Sequence, residues 1–443
     1  MSTSQPKKIA VLGAGRSGLA AARLARKQGA EVVLLDSGPV DRFDDARQQL
    51  LKLEARGVFG PEAENFAETE AVELVVQSPG IDLRRPLVTQ FSSRGIPVIG
   101  EIEFAWRSCD SEVIAITGTN GKTTTTEMID EVFDHTKLRC TPAGNIGIPF
   151  SEVVIEGELY DVISLEVSSF QLEAIDSFRP RVSVWLNFAA DHLDRYDSMD
   201  DYRAAKLRMF DFQAETDLAI VKFEDRQLLG DLKPRVVTFS AFETGADYGF
   251  DGQWILRGED RVFDFSATQL RGAHNAENVM AALAAGAEFE ISPETVQAAL
   301  ANYQPPEHRC ELVRIVDGIE FINDSKATNL HAMESSLRGQ PKPVVLIAGG
   351  KEKGLDFSEI TPLISEKVSH AILIGETAER IAETWKDAAN CVVAGELGKA
   401  VEEARALANS GQTVLFSPGS SSFDQFSSYG ERGKVFKKFV MKF

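Results

Sequence analysis

The stretch from residue 112 to residue 133 limits what this chain can fold into more than any other part of it. An apolar run typical of a buried strand leads into a glycine-rich turn, and the turn leads into residues with helical spacing. The turn reads Gly118-Thr119-Asn120-Gly121-Lys122-Thr123. Because a strand, a tight turn and a helix in this order form one half of a parallel crossover, the pattern predicts an α/β fold.

The same turn predicts a phosphate site. Glycines at 118 and 121 let the backbone approach an anion without a Cβ in the way, and the helix that follows adds its positive end. Lys122 can reach terminal phosphates, and the Thr123 hydroxyl can bind Mg²⁺. An ordinary turn with a surface lysine is the alternative, since Ile116 stands where the usual eight-residue motif begins with glycine.

Strand and helix patterns alternate along the whole chain, and Pro305-Pro306 marks a linker. The predicted strands are Lys8–Leu12, Glu31–Leu35, Val72–Gln77, Glu112–Thr117, Asp161–Leu165, Arg181–Leu186, Leu218–Val221, Ile319–Ile322, Val344–Ala348, Ala371–Ile374 and Thr413–Phe416. Helices are predicted at Leu19–Lys27 and Arg271–Phe289, among others. A length of 443 residues suits about three domains. We predict boundaries of 1–100, 101–305 and 306–443.

Composition excludes several classes of function. Lys plus Arg total 47 and Asp plus Glu total 67, so the net charge of -20 disfavours nucleic acid and anionic membranes as partners. The four cysteines lie far apart, which argues against a disulfide framework or a structural zinc site. No apolar run reaches the roughly 18 residues that a membrane helix needs, and the first residues lack a signal core. We expect a cytoplasmic protein without membrane insertion.

A second glycine cluster lies near the N-terminus. Gly13-Ala14-Gly15-Arg16-Ser17-Gly18 follows the first strand, and Asp36 ends the next one, as in dinucleotide-binding units. This pattern favours NAD or FAD, but it also suits a UDP-sugar whose pyrophosphate rests on a helix N-terminus, or a purely structural turn. Ser78-Pro79-Gly80-Ile81 leaves a strand at the same sheet edge, where it either flanks the ligand or simply turns the chain.

Polar residues also cluster after strands of the middle region. Glu166 ends one strand, Asp191-His192-Leu193-Asp194 follows another, and Lys206 comes next on a helix. A carboxylate, an imidazole and a threonine hydroxyl around a triphosphate can hold Mg²⁺. Each residue alone also suits a surface or a helix cap. Asn275 and Asn278 share one helix face, where they either bind a nucleotide or cap the helix.

Three polar loops of the last region should emerge at the carboxyl ends of strands, where α/β sheets place ligands. These loops, and the segment that opens the region, are His308-Arg309-Cys310-Glu311, Asn323-Asp324-Ser325-Lys326-Ala327-Thr328-Asn329, the residues around Lys351 and Lys353, and Ser417–Phe426. A plain N-cap loop is the alternative for the segment 323–329.

Taken together, these residues resemble the Mur ligase family, which builds the peptide of bacterial cell-wall precursors, and the resemblance spans essentially the whole chain. It implies an N-terminal Rossmann-like domain, a central P-loop ATPase-like domain and a C-terminal Rossmann-like domain. It also implies ATP and two Mg²⁺ ions as cofactors. In the family, the lysine that corresponds to Lys206 is carbamylated by CO₂. Two domains that both contact ATP imply that the third domain closes over the substrates.

The resemblance assigns roles residue by residue. The implied ATP-binding residues are Gly118, Thr119, Asn120, Gly121, Lys122, Thr123, Thr124, Asn145, Asn275, Asn278, Arg309 and Asp324. The implied metal-binding residues are Thr123, Glu166, His192 and Lys206, and the implied catalytic residues are Lys122, His192 and Lys206. The glycine cluster would hold a UDP-linked substrate through Gly15, Arg16, Ser17, Asp36, Ser37, Ser78, Pro79 and Gly80.

The segment 323–329 is similar to the branch of the family that adds D-glutamate to UDP-N-acetylmuramoyl-L-alanine. On this resemblance, the amino acid would be bound by Lys326, Thr328, Lys353, Ser422 and Phe423. Two departures bear on that pocket: Ser417–Phe426 lacks the family's frequent Ser-Pro-Ala-Cys-Ala-Ser order, and Lys351 replaces a small or acidic residue. A member adding another amino acid, such as L-glutamate, therefore stays open.

The resemblance implies a two-step reaction in a monomeric enzyme. The substrate carboxylate attacks the γ-phosphate of ATP to give an acyl phosphate, and the amine of the amino acid then displaces phosphate. Charge neutralisation and positioning carry such chemistry. An NAD-dependent oxidoreductase leaves Lys122 unexplained. A non-catalytic nucleotide-binding protein would not need Lys122, Glu166, His192 and Asp324 together.

Overall fold

A computed structural model describes residues 6–157, 159–191, 195–340 and 343–443. The chain divides into two compact units. The first comprises Met1–Phe188, His192–Asp247 and Ala281–Leu300. The second comprises Ala189–Asp191, Tyr248–Met280 and Ala301–Phe443. Among the described residues, no helix has the length and apolar character that crossing a membrane requires.

The N-terminal sheet has five parallel strands in the order β3-β2-β1-β4-β5. The strands are β1 (Lys8–Leu12), β2 (Glu31–Asp36), β3 (Arg56–Phe59), β4 (Leu74–Gln77) and β5 (Val98–Gly100). The helices are α1 (Arg16–Lys27), α2 (Asp44–Lys52), α3 (Phe66–Thr69), α4 (Pro86–Ser92) and α5 (Glu101–Trp106). The strand order reverses at β1 and β4, so their carboxyl ends flank a crevice suited to a ligand.

The central sheet begins with β6, whose apolar residues are buried on both faces by helices. Its parallel part runs β11-β10-β9-β6-β8-β7. These strands are β6 (Glu112–Thr117), β7 (Cys140–Gly144), β8 (Val162–Glu166), β9 (Val182–Trp185), β10 (Leu218–Lys222) and β11 (Arg235–Phe239). The antiparallel strands are β12 (Tyr248–Phe250), β13 (Trp254–Arg257) and β14 (Asp260–Asp264). The helices are α6 (Lys122–Asp134), α7 (Phe150–Glu156), α8 (Ser169–Leu172), α9 (Met199–Leu207), α10 (Ala273–Glu288) and α11 (Pro293–Leu300).

The C-terminal sheet has the order β15-β16-β20-β17-β18-β19, and all of its pairs except β15–β16 are parallel. The strands are β15 (Glu311–Val316), β16 (Ile319–Asn323), β17 (Val344–Gly349), β18 (Val368–Ile374), β19 (Asn390–Gly395) and β20 (Thr413–Phe416). The helices are α12 (Leu330–Arg338), α13 (Thr361–Lys367), α14 (Ala378–Trp385), α15 (Leu397–Leu407) and α16 (Tyr429–Val440). Short 3-10 helices lie at Val40–Arg42, Pro61–Asn65, Arg208–Phe210, Phe223–Leu229, Phe265–Ala267 and Phe357–Ile360.

The predicted fold class of three α/β regions is confirmed. The prediction left out β3, β5, β7, β11–β15 and β19, most of them short or at sheet edges, and it misplaced the ends of several other elements. The first helix begins at Arg16 rather than Leu19, because its N-terminal amides need no partner within the helix. Leu74, not Val72, begins the fourth strand. The strand predicted to end at Leu165 extends to Glu166, which pairs with β6 and β7.

Candidate active site

The phosphate loop leaves β6 at the centre of the sheet, as the sequence predicts. Gly118 has a φ of 149°, and a Cβ there would lie 3.0 Å from the side chain of Leu186. Gly121 has a φ of 85° and is the N-cap of α6, and in the described structure no side chain caps that helix. Because other residues rarely adopt such angles, the two glycines give the turn its shape. The positive end of α6 therefore lies at this turn, which suits an anion.

Asn187, which the sequence analysis did not single out, holds this loop. Its Oδ1 accepts hydrogen bonds from the backbone N–H groups of Thr119 (3.1 Å) and Asn120 (2.8 Å), and its Nδ2 donates to the Asn120 carbonyl at 3.1 Å. Asn187 follows β9, the strand next to β6. An asparagine placed after a strand adjacent to the glycine turn was the signal available in the sequence.

Two lysines meet at one carbonyl of the loop. Lys122 Nζ donates to the carbonyls of Gly118 and Thr119, each at 2.9 Å. Lys206 Nζ donates to the same Gly118 carbonyl at 2.8 Å and lies 3.4 Å from the Thr117 hydroxyl. Lys206 is only 1% exposed. Two positive charges beside one turn create the field that a polyphosphate needs in an otherwise acidic protein.

An aromatic residue covers the buried lysine. The Tyr202 ring lies 4.9 Å from Lys206 Nζ, and its hydroxyl is 3.4 Å from the Thr119 hydroxyl. Tyr202 stands one helical turn before Lys206 on α9, so that the ring and the ammonium share a face. The contact stabilises the charge away from bulk water.

Glu166 ends β8, the other neighbour of β6. Its Oε1 accepts from Asn145 Nδ2 at 2.9 Å, and its backbone carbonyl accepts from Asn145 N at 2.9 Å. The side chain is 2% exposed, yet Oε2 has no hydrogen-bond partner among the described residues. A buried carboxylate oxygen without a donor is disfavoured unless a cation or another group completes it. Glu166 therefore fits a metal ligand.

The remaining metal positions stand as follows. His192, assigned to catalysis and to the metal, lies outside the described residues. Thr123 is the second residue of α6 and is half-buried. Within the described ranges, no cluster of three or more His, Cys, Asp or Glu side chains converges on a metal position. Among the described residues, the buried carboxylate of Glu166 is thus the group best suited to an ion that keeps several waters and binds phosphate.

The N-terminal glycine cluster is packed for close approach. A Cβ at Gly18 would lie 1.9 Å from the Gly13 carbonyl oxygen, whereas a Cβ at Gly15 would meet nothing within 4 Å. Gly18 therefore allows α1 to pack against the Gly13 turn, and Gly15 faces open space. The Ser78 hydroxyl is buried beside Gly13 and has no hydrogen-bond partner in the described part of the chain.

Asp36 braces the same loop. Its Oδ2 accepts from Ala14 N and its Oδ1 from Gly38 N, both at 2.9 Å. Of the other predicted substrate residues, Arg16 and Gly80 are exposed and Ser17, Ser37 and Pro79 are half-buried. All follow β1, β2 or β4 at the same sheet edge.

In the second unit, Asp324 is fixed by three donors. Its Oδ2 accepts from the hydroxyls of Ser336 and Ser417, the latter at 2.8 Å, and its Oδ1 accepts from Cys310 N at 3.2 Å. Burial raises the pKa of Asp324 to about 6, although these donors oppose the shift. Arg309, which precedes Cys310, is half-buried.

The predicted amino-acid residues occupy three adjacent loops. Lys326 and Thr328 follow β16, Ser422 and Phe423 follow β20, and Lys353 follows β17; these strands are parallel neighbours. Lys326 Nζ lies 4.2 Å from the Tyr429 ring centroid. Ser422 is buried, whereas the Phe423 side chain is 70% exposed.

Arg432, on α16, is a further residue that sequence reasoning missed. It is 1% exposed and donates to the Ser325 hydroxyl (3.1 Å), the Ser325 carbonyl (2.8 Å) and the Ser420 carbonyl (3.0 Å). It thus joins the loop after β16 to the loop after β20. Burial lowers its pKa to about 10, so it stays charged at neutral pH.

Asn275 and Asn278 pair with each other near the start of α10. Asn278 Nδ2 donates to Asn275 Oδ1 at 3.2 Å, and Asn275 Nδ2 donates to the Arg271 carbonyl at 2.9 Å. Both are buried. These bonds orient both side-chain amides. In an N-cap bond the side chain accepts from a helix N–H, whereas Asn275 Nδ2 donates to the Arg271 carbonyl, so this bond is not an N-cap bond.

Comparisons with known proteins identify the class. Residues 7–100 match the model of the Mur ligase MurD-like N-terminal domain, 116–286 the Mur ligase middle domain, and 308–419 the Mur ligase glutamate ligase domain. The chain belongs to the Mur ligase family.

Two relatives that align over nearly their full length carry the name of one particular enzyme of the family. The chain is 41% identical over 442 residues to the UDP-N-acetylmuramoylalanine--D-glutamate ligase of Syntrophotalea carbinolica, covering 98% of this chain and 97% of the relative. It is 40% identical over 448 residues to the enzyme of the same name from Desulfitobacterium hafniense, covering 98% of each.

Solved structures agree on the fold alone. A pseudomurein peptide ligase type C from Methanothermus fervidus aligns with a TM-score of 0.59 and 16% identity, covering 98% of this chain and 99% of the other. UDP-N-acetylmuramate-alanine ligase from Thermotoga maritima aligns at 0.56 with 18% identity, covering 99% and 100%.

Proposed function

We propose that this protein is an ATP-dependent amide ligase that adds D-glutamate to UDP-N-acetylmuramoyl-L-alanine in peptidoglycan precursor synthesis. The observation that carries the proposal is the pair of lysines, Lys122 and Lys206, on the Gly118 carbonyl of a glycine loop. Such a site favours phosphoryl transfer. The full-length relatives bear the name of this activity.

Some backbone N–H groups of the phosphate loop bond within the protein, and others are proposed to bond to ATP. Asn187 takes the N–H groups of Thr119 and Asn120. The amides of Gly121–Thr124 are then the ones that would receive the β- and γ-phosphates of ATP, at the positive end of α6. Lys122 would exchange its two carbonyl partners for phosphate oxygens, because a charged acceptor forms the stronger bond. Asn145, Asn275, Asn278, Arg309 and Asp324 are proposed to contribute further to ATP binding.

The carboxylate of UDP-N-acetylmuramoyl-L-alanine would attack the γ-phosphate to form an acyl phosphate and ADP. The amine of D-glutamate would then attack the acyl carbon and release phosphate. Lys122 would neutralise the charge that develops on the transferred group, and Lys206 would contribute only in its uncarbamylated, cationic form. Positioning of both substrates supplies much of the remaining rate.

Mg²⁺ would supply charge neutralisation on the phosphates when bound. Thr123 and Glu166, whose buried Oε2 has no hydrogen-bond partner among the described residues, are proposed to hold it. A second ion held by His192, and conversion of Lys206 to a carbamate, belong to the same proposal. Carbamylation would replace a cation by a metal-binding anion.

The uridine diphosphate is proposed to rest on the N-terminus of α1. Gly15 is the N-cap of that helix and leaves open space, and the buried Ser78 hydroxyl stands beside the loop. Arg16, Ser17, Asp36, Ser37, Pro79 and Gly80 would complete this site. The role of Asp36 as a brace for Ala14 and Gly38 accounts for this acidic residue without a nicotinamide cofactor.

D-Glutamate carries two carboxylates, so its site needs cations. Lys326 and Lys353 would supply them, and Thr328, Ser422 and Phe423 would complete the pocket. We further propose a cytoplasmic monomer with domains at 1–100, 101–305 and 306–443.

The test is phosphate release with ATP, Mg²⁺ and UDP-N-acetylmuramoyl-L-alanine, with and without D-glutamate, and with L-glutamate in a parallel assay. We expect release that requires D-glutamate. Lys122→Ala should abolish it, whereas Lys137→Ala, an exposed lysine beyond the end of α6, should not. Release driven by L-glutamate alone would overturn the assignment of the amino acid, and activity in Lys122→Ala would overturn the role of the loop.

A further inference from the structure

A cluster of four residues lies in the first unit beside the loop that leaves β4. This cluster, the Arg195 cluster, consists of Phe170, Glu173, Arg195 and Tyr196. Arg195 Nη2 donates to Glu173 Oε2 at 2.7 Å, and the guanidinium lies 4.3 Å from the Phe170 ring centroid. The side chains of Arg195 and Glu173 are only 14% and 16% exposed. A shielded ion pair of this kind, with a stacked guanidinium, fixes geometry better than a surface pair.

The cluster contacts the 78–80 loop. Arg195 Nη1 donates to the carbonyl of Pro79 at 3.4 Å. The backbone of Arg195 is held in turn from the N-terminal region, because Arg84 Nη2 donates to the Arg195 carbonyl at 2.8 Å. Arg84 also pairs with Asp82, just after the same loop. Arg195 is thus tied at two points to the chain that follows β4, through its guanidinium and through its backbone carbonyl.

The other end of the cluster reaches the phosphate loop. Tyr196 donates its hydroxyl to Glu173 Oε1 at 2.6 Å, and burial together with that carboxylate raises the pKa of Tyr196, so the phenol keeps its proton. The Tyr196 ring packs against Phe170 at 5.8 Å and against Tyr202 at 5.3 Å. Tyr202 in turn contacts Lys206 and the Thr119 hydroxyl.

We propose that Arg195 is a positioning residue that holds the 78–80 loop in register with the phosphate loop, through Glu173, Tyr196 and Tyr202. Arg195 contacts the loop backbone at Pro79 and acts on the substrate only through it. The chain of contacts therefore sets where the uridine diphosphate lies relative to the phosphate that its carboxylate must attack. This inference rests on the proposed function, since it assigns the 78–80 loop to the UDP-linked substrate.

The chemistry of the contacts predicts which kinetic constant changes. Loss of the guanidinium frees the Pro79 carbonyl but leaves Asn187 and both lysines of the phosphate loop in place. The KM for the UDP-linked substrate should therefore rise while the KM for ATP stays nearly constant. We expect that KM to rise about tenfold, which corresponds to about 1.4 kcal/mol, the order of one hydrogen bond from a charged donor.

The experiment compares Arg195→Met and Arg195→Lys with Arg179→Met. Arg179 serves as the control because it makes the same paired contact with a carboxylate, Asp217, within the first unit. Its other hydrogen bond goes to the Thr216 hydroxyl, so its described contacts reach neither loop. Both KM values, kcat, equilibrium binding of UDP-N-acetylmuramoyl-L-alanine without ATP, and melting temperature are measured. We expect weaker binding of the UDP-linked substrate in both Arg195 variants, with a smaller loss of affinity in Arg195→Lys. Arg179→Met should bind this substrate with the affinity of the wild type.

Glu173→Gln gives a second route in case Arg195→Met does not fold, because it removes the charge that orients Arg195 and keeps the volume. A KM for the UDP-linked substrate within twofold of wild type in folded Arg195→Lys and Glu173→Gln overturns the inference while the proposed function stands. Equal increases in both KM values also overturn it, since they indicate general damage. A wild-type protein that neither binds the UDP-linked substrate nor releases phosphate overturns the proposed function and this inference together.

Discussion

Lys206 Nζ lies 2.8 Å from the carbonyl oxygen of Gly118, deep enough that the residue is 1% exposed. A lysine 88 positions along the chain is thus fixed to the first glycine of the phosphate loop. Burying an ammonium is unfavourable unless hydrogen bonds and opposite charges compensate it. The bond to the Gly118 carbonyl is one of the contacts that compensate this burial, and it fixes the ammonium beside the loop.

Replacement of Lys206 separates its charge from its reactivity toward CO₂. Lys206→Met removes both, and we expect kcat to fall by at least about a hundredfold because transition-state charge is left uncompensated. Lys206→Arg keeps a cation that can bond to Gly118 but cannot form a carbamate. Phosphate release is measured with and without added bicarbonate. Near-wild-type activity in Lys206→Arg would show that a carbamate is not required.

Asn187→Ala should disorder the phosphate loop without touching the ligand. It removes the side-chain acceptor that both amides share, whereas the bond from Thr119 N to the Asn187 backbone carbonyl (3.0 Å) remains, and we expect a cost of about 1–3 kcal/mol. We expect the KM for ATP to rise and the KM for the UDP-linked substrate to change little, measured by steady-state kinetics. Asn187→Asp keeps the acceptor and loses the donor to the Asn120 carbonyl, so an unchanged KM for ATP in both variants would contradict the role.

Gly15→Ala and Gly18→Ala form a matched pair. A Cβ at Gly15 meets nothing within 4 Å, whereas one at Gly18 lies 1.9 Å from a carbonyl oxygen. We expect Gly18→Ala to lower the melting temperature. Gly15→Ala should keep the melting temperature and weaken UDP-substrate binding, because its methyl group would meet the ligand. Calorimetric titration with the UDP-linked substrate measures this; full affinity in Gly15→Ala would place the pyrophosphate elsewhere.

Arg432→Met tests the bridge between two loops of the second unit. The carbonyls of Ser325 and Ser420 lose their buried donor, so unfolding free energy should fall by about 3 kcal/mol, measured by urea denaturation. The KM for D-glutamate should rise as the loops separate, while the KM for the UDP-linked substrate holds. An exposed basic residue on the same helix, Lys438→Met, serves as control. Equal effects of the two changes would argue against a bridging role.

Asp130 predicts a pH dependence of stability. Burial, followed by the nearby Asp134 charge, raises its pKa from 3.8 to about 6. A carboxyl whose folded pKa is raised binds its proton more tightly in the native state, so it stabilises the fold below pH 4 and this contribution is lost as pH rises through 6. The loss amounts to about 2 kcal/mol after allowance for partial exposure. Asp130→Asn should remove that component when unfolding free energies at pH 4 and pH 7.5 are compared; an unchanged difference would contradict it.

The sequence predicts most of the fold because strand and helix periodicity is local. The runs at Lys8–Leu12 and Thr413–Phe416 are strands with the predicted bounds. Element ends move by one to three residues, as at Arg16, because caps and terminal amides depend on neighbours that periodicity does not record.

Motif residues carry the chemistry of the site in the sequence itself. The turn around Lys122, the glycines at 13–18 and the Asp324 loop are each recognisable, since a tight turn next to a strand end needs particular residues at fixed spacing. The family follows from them, and the comparisons confirm it.

Tertiary structure alone decided which side chains hold those motifs in place. Three side chains do this through hydrogen bonds between residues far apart in the chain: Asn187 bonds to Asn120, 67 positions away, Arg432 to Ser325, 107 away, and Arg195 to Pro79, 116 away. A hydrogen bond depends on distance and direction in space, and chain separation fixes neither. The sequence by itself therefore determined what chemistry the loops can perform, whereas folding determined which residues position them.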